Sequence, residues 1–588
     1  MFLRSKLNCN IVAVVLLPLW FFTATIAMAA EEKQVVVRVE QLNDTQYQNV
    51  WPQLSIAELH QSPAPNPFRL RYLHRLATSE IQAALEPLGY YQVEVAAALT
   101  ESERSYEAVY QVTPGPATRV RALNIELRGE AQQDPAFQRL LNRLPIRVGD
   151  VFRHDHYERS KAQLRSLAAE RGYIDANFVA QRVRVDRDQQ SATIWLTLDS
   201  GQRFEFGTVS FSEANVGTSL LERYVNFAPG DPFHTNQLLN LQVALNQTDY
   251  FSRVEVSPRY QQATQTQIPV QVLLEPNNRT RNRYGIGYGT DTGARLTYAH
   301  TRRWVNDRGH QFDGIVRVSE INTTGLTNYR IPGQSPAFEH YLLAFEIADQ
   351  SYREQRSTLY RAGVADVVQR PDLQRTYALD WRHEVFSFGD RPEETSKFLL
   401  PSASWTLIEA DNRFEDVDGF RLTLTAKAAA EAVLSDTNLA QLHLAGKWVK
   451  PLTDKWRLLS RFELGATEVD RFAALPPSLR FFAGGDYSVR AYDYQQLGPT
   501  NADGVVTGGK FLAVVSAEID YEWRENWRVA MFIDAGNASM DTKINFKQGV
   551  GVGIRWISPI GAIRLDVARA IDEPDQPWRL SFTLGPDL

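Results

Sequence analysis

Cysteine is almost absent: Cys9 is the single one in 588 residues. It stands before an apolar run, whereas lipid attachment needs a cysteine after such a run, which speaks against a lipoprotein. If the leader is removed, no thiol remains, and disulfides and thiolate metal sites are excluded with it. Long apolar stretches are missing too. Past residue 30 none approaches ~18 consecutive apolar residues, so no transmembrane helix is expected. Charge of one sign is not in excess: a net −6 is modest for this length and speaks against nucleic acid as a partner. There is no G-x-S-x-G, and the ten histidines are scattered. His154-Asp155-His156 is the one tight cluster. It falls at the expected start of a helix, where capping and solvation account for it and no third metal ligand is apparent. No catalytic, metal-binding or cofactor-binding residue is assigned.

What is present begins with a leader. Arg4 and Lys6 precede an apolar run over residues 11–26, and Ala27-Met28-Ala29 offers small residues for cleavage. Residues 1–29 therefore read as a secretory signal peptide, to be set aside from fold reasoning. The chain as a whole is 44% apolar, ample for a large core, or for a membrane span hidden in alternation. A transmembrane β-barrel hides its lipid face in that way, with every second residue apolar.

The front half repeats. A glycine-aspartate turn, an amphipathic helix, an aromatic pair and two alternating strands recur. They read "VGDVF", a helix carrying Leu164, Leu167 and Ala168, "RGYIDANFV" and "SATIWLTLDSG" in one copy. In another they read "PGDPF", a helix carrying Leu238, Leu241 and Leu245, "DYFSRVEVSPRY" and "IPVQVLLEP". A looser copy comes first, with "NPFRL", "LGYYQVEVAAAL" and "YEAVYQVTPG". Tyr90, Tyr173 and Tyr250 mark a period near eighty residues, too long for a solenoid and suited to a string of small α+β domains. Each copy opens with a strand, passes through two helices and ends in a hairpin, a β-α-α-β-β unit. The boundaries expected are 34–115, 117–201 and 203–277. Helices on one sheet face leave the other face and an edge partly open, and an open edge accepts an extended peptide as an added strand. Plain spacers with blocked edges are the alternative.

From residue 280 to 588 the period changes to two. "RYGIGYGTDTGARLTYAHTRRW", "HYLLAFEIADQSYR", "GFRLTLTAKAAAEAVL", "LAQLHLAGKWVK", "WRLLSRFELGATEV" and "VGVGIRWIS" are strand-length runs between turn-rich pieces, with aromatics near their ends. Sixteen antiparallel strands would take roughly 19 residues each with their connections and twelve roughly 26. Sixteen is the expectation. In "GIGYG" the glycines Gly285, Gly287 and Gly289 share one face and Tyr284, Ile286 and Tyr288 the other, the lipid side. A nucleotide loop would need a helix after these glycines, and a strand follows. In the last run Trp578, Leu580, Phe582 and Leu584 face one way and Arg579, Ser581 and Thr583 the other. Gly585 and Pro586 cut that run short, since proline cannot donate to a ladder. Closure between this strand and residues 284–288 is expected to be a weak lateral seam.

One stretch, "FFAGGDYSVRAYDYQQLGP" at residues 481–499, is too glycine-rich for a helix and too aromatic for an idle solvent loop. With three repeated domains, a barrel and the Val489-Arg490-Ala491-Tyr492 motif, the chain resembles the BamA/TamA superfamily of outer-membrane assembly factors. "FIDAGNA" (532–538) and "GVGIRWISPIGAIRLDVARA" (551–570) carry the same resemblance, which covers nearly the whole mature chain. The family's loop motif has glycine where this chain has Ala491. Three front domains, called POTRA, and the closing Leu-Gly-Pro-Asp-Leu resemble the TamA branch. The resemblance implies an outer-membrane barrel with POTRA domains in the periplasm. It further implies an inner-membrane-anchored partner of the TamB type, and unfolded outer-membrane or autotransporter-like clients inserted where the lipid is perturbed.

The residue chemistry agrees with an inward-folded loop. In "VVSAEIDYEW" Ser516, Glu518 and Asp520 share a face, and in "MFIDAGN" Phe532, Asp534 and Gly536 do. Carboxylates do not face lipid cheaply, so Glu518 and Asp534 belong in the lumen, where Arg490 would bind them with charge-assisted hydrogen bonds. An enzyme using Glu518 and Asp534 as an acid/base pair is one rival reading. A two-partner-secretion-like export pore is the other, and the stability of the seam discriminates it.

Overall fold

The computed structural model describes residues 33–410, 418–558 and 561–584, so the leader lies outside the described residues. The chain divides into two compact units meeting between Arg203 and Phe204.

The first unit holds two repeats. One comprises β1 (Gln34–Glu40), α1 (Asp44–Val50), the two-residue β2 (Ser62–Pro63), α2 (Pro67–Leu85) and the hairpin β3 (Glu94–Glu101) and β4 (Ser105–Thr113). Its sheet order is β2-β1-β4-β3, with β4 parallel to β1 and antiparallel to β3. The other comprises β5 (Arg119–Arg128), α3 (Pro135–Leu141), α4 (His154–Glu170), β6 (Asn177–Asp186) and β7 (Ser191–Asp199), in the order β5-β7-β6. In both the last strand is central, and its alternate residues are the core. Ala108, Tyr110 and Val112, and then Ala192, Ile194 and Leu196, are fully buried beneath the helices. Helix α2 starts where Asn66 accepts from the Phe68 amide at 2.9 Å with Pro67 in the first turn. Its buried Leu70, Ala77, Ile81 and Leu85 lie on one stripe.

Two details depart from the expected repeat. Strand β2 pairs with β1 at Gln34, so that edge of the first sheet is partly covered. The His-Asp-His cluster does not cap α4, because the cap position belongs to Arg153, whose side chain makes no capping bond. Asp155 lies inside the first turn, where a carboxylate suits the helix dipole, and takes Arg153 at 2.9 Å as well as Arg159. His154 shares a 2.8 Å hydrogen bond with the Tyr91 hydroxyl. Among the described residues no cluster has the makings of a metal site.

The second unit opens with the third repeat: β8 (Glu205–Phe211), α5 (Thr218–Leu221), α6 (Thr235–Asn246), β9 (Phe251–Pro258) and β10 (Gln267–Pro276), in the order β8-β10-β9. Phe206 stacks on Phe227 at 3.9 Å beneath Phe233, and Leu238, Leu241 and Leu245 of α6 are buried. A closed barrel of sixteen antiparallel strands follows, from Thr280–Gly289 to Trp578–Leu584. Alternation governs its wall: Tyr284 and Ile286 are four-fifths exposed on the outside, while Gly287 and Gly289 are buried. Rings collect at one rim, where Trp527 stacks on Trp556 at 5.3 Å and Trp456 meets Tyr521 at 4.7 Å. The third repeat is fastened to the turn between the second and third barrel strands. Tyr250 donates to the Gly309 carbonyl at 2.5 Å, and the Gly217 amide to the Asp307 carbonyl at 2.7 Å.

Candidate functional site

The segment between the eleventh barrel strand (Trp456–Val469) and the twelfth (Phe511–Arg524) folds back into the lumen. It pairs with itself, Phe481 with Gly509 and Ala483 with Leu497. The return needs glycine: Gly484 has φ +98°, and a Cβ there would lie 2.5 Å from the Asp493 carbonyl oxygen. Val489, Ala491 and Tyr492 are thereby buried against Leu512, Val514, Phe532, Ala568 and Ala570 of the wall.

Arg490 is delivered to the carboxylates. Its Nε and Nη2 donate to the two oxygens of Asp534, each at 2.8 Å, a bidentate pair. Nη1 donates to Glu518, and Nη2 also reaches the Ser516 hydroxyl at 3.2 Å. The Arg490 backbone amide adds a 3.1 Å bond to Asp534. The guanidinium lies 3.4 Å from the centre of the Phe532 ring, a cation–π contact. The Arg490 side chain is 5% exposed and that of Asp534 0%, so the pair is desolvated rather than a surface contact.

Two further arginines, not foreseen from the sequence, share these carboxylates. Arg461 lies 3.7 Å from Asp534 and donates to the Ser488 carbonyl of the loop at 2.6 Å. Arg555 bridges Glu518 at 3.3 Å and Asp566 at 2.5 Å. Their inward parity on the strands was readable; the stagger that brings them to this level was not. Every carboxylate that an acid/base reading would recruit is thus held by guanidinium. Ala491 occupies a place matched to it: a Cβ added at Gly549 would stand 2.5 Å from its methyl carbon. Nearer the mouth, Arg480 is sandwiched among Phe386, Phe388 and Phe472, 4.6–5.7 Å from the ring centres. Leu475 and Leu479 are buried there against Phe398 and Leu400 of the wall.

At the seam the described residues reach part of the expected set. Among the described residues the first strand meets the last at two positions, Tyr288 with Leu584 and Gly289 with Thr583. The Thr290 amide continues the line, donating to the Phe582 carbonyl at 2.9 Å. Tyr284, Gly285, Ile286 and Gly287 pair with the second strand, and the positions that would follow Leu584 across the seam from them, 585 to 588, lie outside the described residues. In this register Phe582 faces Thr290. Period-two patterning assigns a face but not a register, so the pairing of Tyr288 with Leu584 could not be read from the sequence. Gly585 and Pro586 lie outside the described residues. On the other side of Phe582, Trp578 to Ser581 pair with the fifteenth strand and, among the described residues, have no ladder partner in the first.

Comparison with known proteins places this architecture. A model described as the Omp85 superfamily domain matches residues 206–587. The chain belongs to the Omp85 superfamily. A POTRA model described as TamA domain 1 matches residues 36–114, and one described as a surface antigen variable number repeat matches 123–201. The chain is 23% identical over 391 residues to the outer membrane protein assembly factor BamA of Nitratidesulfovibrio vulgaris, covering 62% of this chain and 48% of that one. It is 20% identical over 620 residues to BamA of Neisseria meningitidis serogroup B, covering 78% and 77%. The chain thus spans about half the length of one of these curated relatives and about three quarters of the other. The crystal structure of BamA from Haemophilus ducreyi lacking POTRA domains 1–3 superposes with TM-score 0.66 and 18% identity, over 80% of this chain and 99% of that one. This Omp85 protein is an outer-membrane β-barrel preceded by periplasmic POTRA-type α/β domains, as the family resemblance implied.

Proposed function

We propose that this protein is a TamA-type assembly factor. It receives unfolded outer-membrane or autotransporter-like clients in the periplasm and templates their strands at the lateral seam. The observation that carries the reading is at the seam: Trp578 to Ser581 of the last strand run past the end of the first strand and, among the described residues, have no ladder partner in it. Unpaired backbone groups in hydrocarbon cost several kcal/mol each, so a wall opens where fewest pairs must break. The freed edge at Tyr288 and Gly289 then accepts a client strand by β-augmentation. The POTRA sheets supply capture surfaces, an inner-membrane-anchored TamB-type protein is the partner, and the lipid beside the seam is perturbed during insertion. The reading needs no covalent step and treats the protein as non-enzymatic.

An export pore of the two-partner-secretion type is the alternative. Against it stands the occupied lumen. A polypeptide passing through would have to expel a loop fastened by Arg490 and Arg480. The test is a disulfide between cysteines at positions 288 and 584, the pair opposite in the ladder. A locked seam is expected to leave heat-modifiability intact and abolish client assembly, with activity returning on reduction. Full activity with the seam locked refutes the insertase reading and favours the pore.

A further inference from the structure

Beside the seam lies a second arginine knot that the loop motif does not include. Arg579, on the lumen face of the last strand, is 9% exposed. Its Nη2 donates to Asp291 at 2.5 Å, its Nη1 to the Arg490 carbonyl at 2.9 Å, and its Nε to Asp493 at 3.1 Å. Asp486 lies 2.9 Å from the same Nη1. Asp291 sits in the turn between the first and second strands, on the opposite side of the seam, whereas Asp486 and Asp493 belong to the loop. The Asp486 amide donates to Asp291 at 2.6 Å, and Ser581 of the last strand donates to the Asp486 carboxylate. The loop therefore touches both banks of the seam through one buried guanidinium.

We propose that Arg579 is a positioning residue that bolts the seam: it holds the last strand against the first-strand turn by way of the loop. This deepens the insertase reading and rests on it for its functional meaning. Three carboxylates converge on Arg579, and Arg353 is the one other guanidinium among the described residues paired with any of them, at Asp493. Negative charge is thus in excess at the knot. Removing Arg579 does more than delete an attraction, because it leaves Asp291 and Asp486, 10% and 8% exposed, facing each other in a desolvated site. The bolt becomes a wedge. Asp493, 47% exposed, contributes least because water screens it. The shared Arg490 carbonyl couples the bolt to the Arg490 brace, so displacement of the loop loosens the seam directly.

The test is hydrogen exchange of the full chain in liposomes, read on peptides spanning residues 287–292 and 578–584. The Thr290 amide, bonded to the Phe582 carbonyl, is the reporter. Arg579→Gln is expected to speed exchange there by about tenfold or more, the factor set by loss of one buried charged pair. Asp291→Asn and Asp486→Asn should give smaller increases and Asp493→Asn the smallest. They decide the matter if Arg579→Gln fails to insert. Arg457→Gln, which breaks the lumen pair with Asp520 away from the seam, should leave these peptides unchanged. Unchanged seam exchange in the folded Arg579 and aspartate variants overturns the proposal. So does acceleration spread evenly around the barrel. Faster seam exchange with unaltered client assembly upholds the bolt and counts against the insertase reading instead.

Discussion

Removing Arg490 tests whether the loop is a brace. The Arg490→Ala side chain loses both 2.8 Å bonds to Asp534, the bond to Glu518 and the cation–π contact with Phe532. Breaking a buried pair by deleting one partner costs about 3–5 kcal/mol. Here the survivor is partly compensated. Asp534 keeps the amide of residue 490 and Arg461 at 3.7 Å, and Glu518 keeps Arg555. A loss of about 2–4 kcal/mol follows. Asp534→Ala removes the same bidentate pair and also strips Arg461 of its carboxylate, so its loss should be equal or larger. In the double variant neither charge is stranded, and the two losses should fall short of additivity by about 1–3 kcal/mol. Arg490→Lys keeps the charge but not the planar fork, and should lie between the wild type and Arg490→Ala. Urea unfolding in detergent gives the free energies, heat-modifiability confirms insertion, and client assembly should fall in the same order. Strict additivity of the two alanine changes would refute the brace.

Four other outcomes are expected. Deleting residues 34–114 should leave a heat-modifiable, inserted barrel, because Leu70, Ile81 and Tyr110 form a core of their own; client delivery should suffer. Gly549→Ala should cost about 1–3 kcal/mol through collision with the Ala491 methyl, and adding Ala491→Gly should recover most of it, read by urea unfolding. Gly484→Ala should loosen the loop through its positive φ and the Asp493 carbonyl, seen as protease sensitivity in residues 481–499. In the second repeat, burial alone would raise the Asp134 carboxyl, but the Ala136 amide and the Arg171 and Tyr173 side chains hold it below the usual range. Its contribution is therefore complete above an unfolded value of about 3.8 and is lost as pH falls below that. Asp134→Asn should cost the soluble fragment 33–203 about 1–2 kcal/mol at pH 7 and flatten its acid limb, Arg171 being partly exposed.

Spacing along the chain fixes the periods, and through them the faces. Alternation around Tyr284–Tyr288 and in "WRLSFTL" tells lipid side from lumen side, because a pleated strand turns each successive side chain over. The three-and-four spacing of Leu238, Leu241 and Leu245 tells the buried stripe of a helix. The link from Arg490 to Asp534 and Glu518 was legible for a related reason. Carboxylates on lumen-facing positions need a cation, and a glycine-flanked loop carried one. Tertiary structure alone decided register and closure. A slide along the ladder by two residues preserves every face, so nothing in the local pattern distinguishes Ile286 from Tyr288 as the partner of Leu584. Arg579 could be read as inward-facing, but Asp291, Asp486 and Asp493 come to it from two distant segments. Only the tilt and stagger of a closed sixteen-strand wall, together with a loop folded inside it, bring those atoms within hydrogen-bond reach.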